Sequence, residues 1–128
     1  MKKILIVAGD YYKDITKGLL NSALKKIPKN FRVKIIKVPG VFEIPVTISK
    51  NIKKFDGFIA LGCVIKGQTP HFDFISQSSI NAIMNLSIDN NKPIGNGIIT
   101  CLNLKQAKAR KKKGAEATKA ILSVLTQK

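Results

Sequence analysis

Four short apolar runs divide this chain, and the stretches between them carry helical periodicity. That alternation limits the fold more than any other property of the sequence. The runs are residues 3–9, 31–38, 55–63 and 94–101, each of a length suited to one strand. After the first, Ile15, Leu19, Leu20, Ala23, Leu24 and Ile27 recur at helical spacing, with Asp14 expected as the cap and Pro28 and Asn30 as the stop. In the second, Phe31, Val33 and Ile35 share one face and Lys34 the other. Residues 72–89 carry Phe72, Ile75, Ser79, Ala82, Ile83 and Leu86 on one helical stripe, broken by Asn90 to Pro93. Helices over 102–110 and 115–125 close the chain. Strands and helices in this order, with crossovers this short, predict an α/β three-layer α-β-α sandwich built on a four-stranded parallel sheet. Ligands of such sheets bind beyond the carboxyl ends of the strands. The strand-to-helix junctions are therefore where function is expected.

At 128 residues the chain is expected to form one domain, residues 1–128, able to bury a core without disulfides or metal. No apolar run approaches the roughly 20 residues that span a bilayer, so no membrane partner is expected. Met1-Lys2-Lys3 before Ile4-Leu5-Ile6-Val7 imitates a signal peptide, but Gly9-Asp10 ends the run too early. Cys63 and Cys101 lack metal-ligand spacing, and a single histidine builds no metal cluster. A reduced, cytoplasmic domain fits these features. The net charge of +16 invites a nucleic-acid partner. Its distribution argues against specific recognition, because the lysines are scattered, Lys111-Lys112-Lys113 is the one true cluster, and Arg32 and Arg110 are the only arginines. No aromatics interleave with the basic positions, as base-reading or stacking surfaces require.

Two junctions concentrate chemistry. Residues 66–71 read Lys-Gly-Gln-Thr-Pro-His and lead into the helix over 72–89. Backbone amides at Gly67, Gln68 and Thr69, with the positive end of the helix, suit a phosphate or carboxylate, although this is no Walker loop. His71, the only histidine, exchanges protons near neutral pH and stands beside that cradle. The other junction reads Val38-Pro39-Gly40-Val41-Phe42-Glu43-Ile44-Pro45, with Pro45 in the first helical turn. It presents a ring, Phe42, and a carboxylate, Glu43, which is either functional or a charge favoured by the helix dipole. A Cys63–His71 nucleophile pair is the rival reading. It requires an exposed Cys63, whereas a cysteine closing an apolar strand is more often packing.

These two junctions, together with Gly62-Cys63-Val64-Ile65 and with Gln106-Ala107 shortly before Arg110, resemble the lumazine synthase family over nearly the whole chain. The resemblance implies a flavodoxin-like fold and a cofactor-free condensation in riboflavin biosynthesis. It joins 5-amino-6-(D-ribitylamino)uracil to 3,4-dihydroxy-2-butanone 4-phosphate, with loss of phosphate and water. It also implies roles: His71 as the acid–base group; Gln68, Thr69 and Arg110 on the phosphate, with Lys113 as a further candidate; and Tyr11, Val41, Phe42, Glu43, Cys63, Val64, Ile65 and Asn96 around the ribitylaminouracil. Members build their sites between neighbouring subunits of a pentamer, so a homo-oligomer acting on small-molecule substrates is implied. The chain departs from the family pattern at Asn96, where many members carry phenylalanine. Other departures are Lys66, in place of an arginine, and a shortened segment from Arg110 to Gly114.

Overall fold

The computed structural model describes residues 1–127. Strands β1 (Lys3–Gly9), β2 (Arg32–Val38), β3 (Gly57–Ile65) and β4 (Ile94–Cys101) form one sheet in the order β2-β1-β3-β4, parallel throughout. Helices α1 (Lys13–Lys25), α2 (Ile44–Lys50), α3 (His71–Asn90), α4 (Leu104–Ala109) and α5 (Lys113–Leu125) connect and cover it. One core layer joins Ile4, Ile6, Ile59, Leu61 and Ile99 to Leu19 and Ala23 of α1 and Ile121 of α5. The opposite layer joins Leu5, Val7, Phe58 and Ile98 to Ile44 and Ile48 of α2 and Ile83 of α3. The three-layer α/β sandwich and its parallel sheet are thus as the alternation predicts.

β1 and β3 are the central strands and are buried on both faces, which explains their unbroken apolar runs. β3 runs two residues beyond the expected end, through Ile65, and starts at Gly57 instead of Phe55. The edge strand β2 is the least covered. Val33 and Ile35 are exposed, while Ile36 and Val38 pack towards α2. Of the expected face, only Phe31 packs on the core. Asp14 does not cap α1: it lies in the first turn behind Tyr12, and Thr16 ties the helix down through its hydroxyl to the Gly9 carbonyl at 2.7 Å. α3 begins one residue earlier than expected, at His71. α4 is shorter than expected because Asn103 and Gln106 close a reciprocal cap: Gln106 N–H donates to Asn103 Oδ1 at 2.9 Å and Leu102 N–H to Gln106 Oε1 at 2.8 Å.

Candidate active site

The chain leaves β1 in one direction for β2 and later crosses to the other side for β3. Such a reversal opens a crevice beyond the carboxyl ends of the two central strands. A cleft of about 300 Å³ lies there, lined by Tyr11, Tyr12, Gly40, Val41, Phe42, Cys63, Val64, Ile65, His71 and Ile75. Each wall follows from local chemistry. Tyr11 and Tyr12 sit at the start of α1, held by the Thr16 to Gly9 hydrogen bond, with their rings edge to face at a centroid distance of 4.8 Å. Val41 and Phe42 lie on a single 3-10 turn, Val41–Glu43, preceding α2. That turn docks against β3 because Gly62 has no side chain: a Cβ there would stand 2.7 Å from Val41 Cγ2. Val41 is buried and Phe42 remains largely exposed, so a ring stands at the cleft mouth.

Glu43 is half-buried. Its Oε1 accepts the Gly40 N–H at 2.9 Å, and its neighbours form a second, apolar groove with Pro45, Val46 and α3 residues Ser78, Ser79 and Ala82. The carboxylate holds the Pro39-Gly40 corner at the end of β2, which in turn shapes the cleft.

The loop of residues 66–70 is exposed, and α3 starts directly after it. His71 N–H reaches Thr69 Oγ1 at 3.4 Å, so the threonine hydroxyl keeps its proton for an incoming acceptor. A Cβ at Gly67 would meet nothing within 4 Å, which leaves that backbone open to approach. Exposed Gln68 and Thr69 therefore stand beside His71 at the positive end of a 20-residue helix, the arrangement that favours an anion.

Cys63 is buried, 6% exposed. Burial, then the neighbouring Cys101, pushes its thiol up to about 12. A thiol held protonated is no nucleophile at neutral pH, so the Cys63–His71 pair is discarded and Cys63 is a cleft wall. Burial also raises the Tyr12 phenol, with lesser contributions from Cys63 and Tyr11.

Asn96, Arg110 and Lys113 do not line this cleft. They share another, of about 460 Å³, along the outer edge of β4 between α3 and the turn before α5. Asn96 Oδ1 accepts the N–H of Ile98 on its own strand at 3.1 Å. Arg110 Nη1 donates to the Thr100 carbonyl at 3.3 Å, and Lys112, Lys113 and Glu116 complete the rim. The sequence-identified residues thus divide. Tyr11, Val41, Phe42, Cys63, Val64, Ile65 and His71 line the first cleft, and Asn96, Arg110 and Lys113 the second. Gln68 and Thr69 stand on the exposed loop, and Glu43 beside the apolar groove. Three cleft residues, Tyr12, Gly40 and Ile75, escaped sequence reasoning. Ile75 had a usable signal, since it lies four residues after His71 and so on the same helical face. Among the described residues no cluster of side chains suited to a metal ion occurs, and no helix is long and apolar enough to cross a membrane.

Comparison with known proteins gives a consistent picture. A family model described as 6,7-dimethyl-8-ribityllumazine synthase matches residues 1–128. A protein of that name from Bartonella henselae is 42% identical over 135 residues, covering 98% of this chain and 87% of its own. One from Bartonella bacilliformis is 42% identical, covering 87% of this chain and 76% of its own. One from Agrobacterium fabrum is 38% identical, covering 98% and 93%.

Proposed function

This chain belongs to the 6,7-dimethyl-8-ribityllumazine synthase family, and from that premise we propose how its two clefts carry out the reaction. The enzyme condenses 5-amino-6-(D-ribitylamino)uracil with 3,4-dihydroxy-2-butanone 4-phosphate, forming an imine, expelling phosphate and closing the second ring with loss of water. The observation that carries the site assignment is the cleft between the carboxyl ends of β1 and β3, where Tyr11, Val41, Phe42, Cys63, Val64, Ile65 and His71 converge.

The pyrimidine lies in that cleft, its ring against the Tyr11 and Phe42 rings, with the backbone of residues 63–65 and the corner braced by Glu43 as its polar edges. The butanone phosphate lies beside it over Gln68, Thr69 and the start of α3, where unpaired amides and the helix dipole stabilise its charge. His71 stands between the two substrates and moves protons during imine formation and phosphate loss. Departing phosphate gathers negative charge, and a guanidinium meets that charge best. Holding two substrates in register supplies much of the acceleration, which is consistent with a single imidazole as the acid–base group.

Arg110, Lys113 and Asn96 belong to the neighbouring subunit's half of the site. Their separation into a second cleft supports an assembly in which the β4 edge of one subunit closes the cleft of the next, and a pentamer is the proposed ring. The protein works without a cofactor, in the cytoplasm. Incubation with both substrates, followed by product fluorescence, tests the reading. Turnover that requires both substrates is expected, whereas tight product binding without turnover overturns it.

A further inference from the structure

The chain carries 23 basic and 7 acidic residues, yet among the described residues the one ion pair is Lys13 with Asp10. Its positive charge is therefore not neutralised internally, and the fold decides where it gathers. α1 and α5 pack closely because Gly114 lacks a side chain, since a Cβ there would run into the Leu19 carbonyl oxygen. Ala115 N–H donates to Ser22 Oγ at 3.0 Å, and Thr118 Oγ1 donates to the Ala23 carbonyl at 3.0 Å. These contacts pull the preceding turn onto α1, with Lys111 Cβ resting over Gly18. A groove of about 810 Å³ results, walled by Lys25, Lys26, Lys111, Lys112 and Lys119, with Glu116 its one acid.

Like charges gathered along one groove repel one another, and the packing of α1 on α5 keeps their backbone positions together. An anionic occupant removes that repulsion. We infer that the α1–α5 groove binds phosphate-chain polyanions: the sugar–phosphate backbone of a single-stranded nucleic acid, or inorganic polyphosphate. The groove contains neither arginine nor an aromatic ring, so it contacts phosphates without reading bases. Its concave shape and its lack of large apolar side chains suit a linear phosphate chain better than a bilayer, which an inserting apolar face would favour. The groove shares Lys112 and Glu116 with the rim of the second cleft, but Lys25, Lys26, Lys111 and Lys119 lie outside it, so the inference would stand if the condensation reading failed.

The test titrates the full-length protein against a fluorescent homopolymeric oligonucleotide, against polyphosphate, and against acidic phospholipid vesicles across a salt series. Five lysine–phosphate contacts imply binding that weakens about a hundredfold between roughly 50 and 200 mM salt on a single strand. The combined Lys25→Gln, Lys26→Gln, Lys119→Gln variant is expected to cut that salt response to about tenfold. A charge-matched control, Lys34→Gln, Lys37→Gln, Lys53→Gln, changes exposed lysines outside the groove and is expected to leave the response near that of the parent. Unchanged melting and turnover establish that both variants fold. Binding of either phosphate chain with this groove dependence supports the inference, and whichever chain binds identifies the source. Equal losses in both variants, vesicle binding alone, or no binding at low salt overturns it.

Discussion

Glu43 Oε1 accepts the backbone N–H of Gly40 at 2.9 Å, so the carboxylate that the sequence offers as a site residue is also the brace of the corner that carries Val41 and Phe42. Glu43→Ala should lower stability by about 1 kcal/mol, the usual cost of losing such a cap, and loosen binding of the ribitylaminouracil. Glu43→Gln keeps an acceptor oxygen and should recover most of both. Thermal melting alongside substrate titration checks this. Full stability in the alanine variant would remove the bracing role.

The Cys63 thiol gives a prediction with a definite sign. Its folded-state value is pushed up to about 12 from an ordinary 9.0, so the folded protein keeps a proton that the unfolded chain releases. The resulting stability is fully present below pH 9.0 and declines as pH climbs towards 12. At mildly alkaline pH a thiol-alkylating reagent should label the denatured chain quickly and Cys63 in the native protein hardly at all. Rapid native labelling, located by peptide mapping, would restore the nucleophile reading.

His71→Ala should slow turnover by roughly ten- to a thousand-fold without abolishing it, because orientation of the substrates remains. Single-turnover kinetics on the variant decide the point. An unchanged rate would take His71 out of the chemistry.

Arg110→Ala should raise the KM for the phosphorylated substrate and leave that for the ribitylaminouracil nearly unchanged. Lys113→Ala should show a smaller effect of the same kind, since a point charge lacks the bidentate reach of a guanidinium. A larger loss at Lys113 would transfer the phosphate contact to it.

The fold was legible in the sequence wherever one period dominated. The apolar runs of β1 and β3 announce strands covered on both faces, and the α3 stripe announces its buried side. Legibility failed where the deciding contact is remote or polar. The order β2-β1-β3-β4 depends on which strands find each other, which no local pattern encodes. Asp14 carried the right chemistry for a cap, but the chain turns two residues earlier, held by Thr16. Asn103 and Gln106 cap α4 through polar side chains, a signal that apolar spacing does not carry. At the site, motif-bearing positions such as His71 and Phe42 were visible, whereas Tyr12 and Gly40 reach the cleft only through the way two junctions fold against each other. That Asn96 and Arg110 occupy a different cleft from His71 was not legible from this chain's residues at all; only the family resemblance implied a divided site.

That division has a genetic consequence under the proposed ring. A His71→Ala subunit still offers an intact β4 edge, and an Arg110→Ala subunit still offers an intact cleft, so each defect spoils a different interface. Co-assembled in equal amounts in a head-to-tail ring, the two impaired alleles should regenerate roughly one native interface in four. Two impaired genes would then complement within a single oligomer, lifting turnover above that of either variant assembled alone.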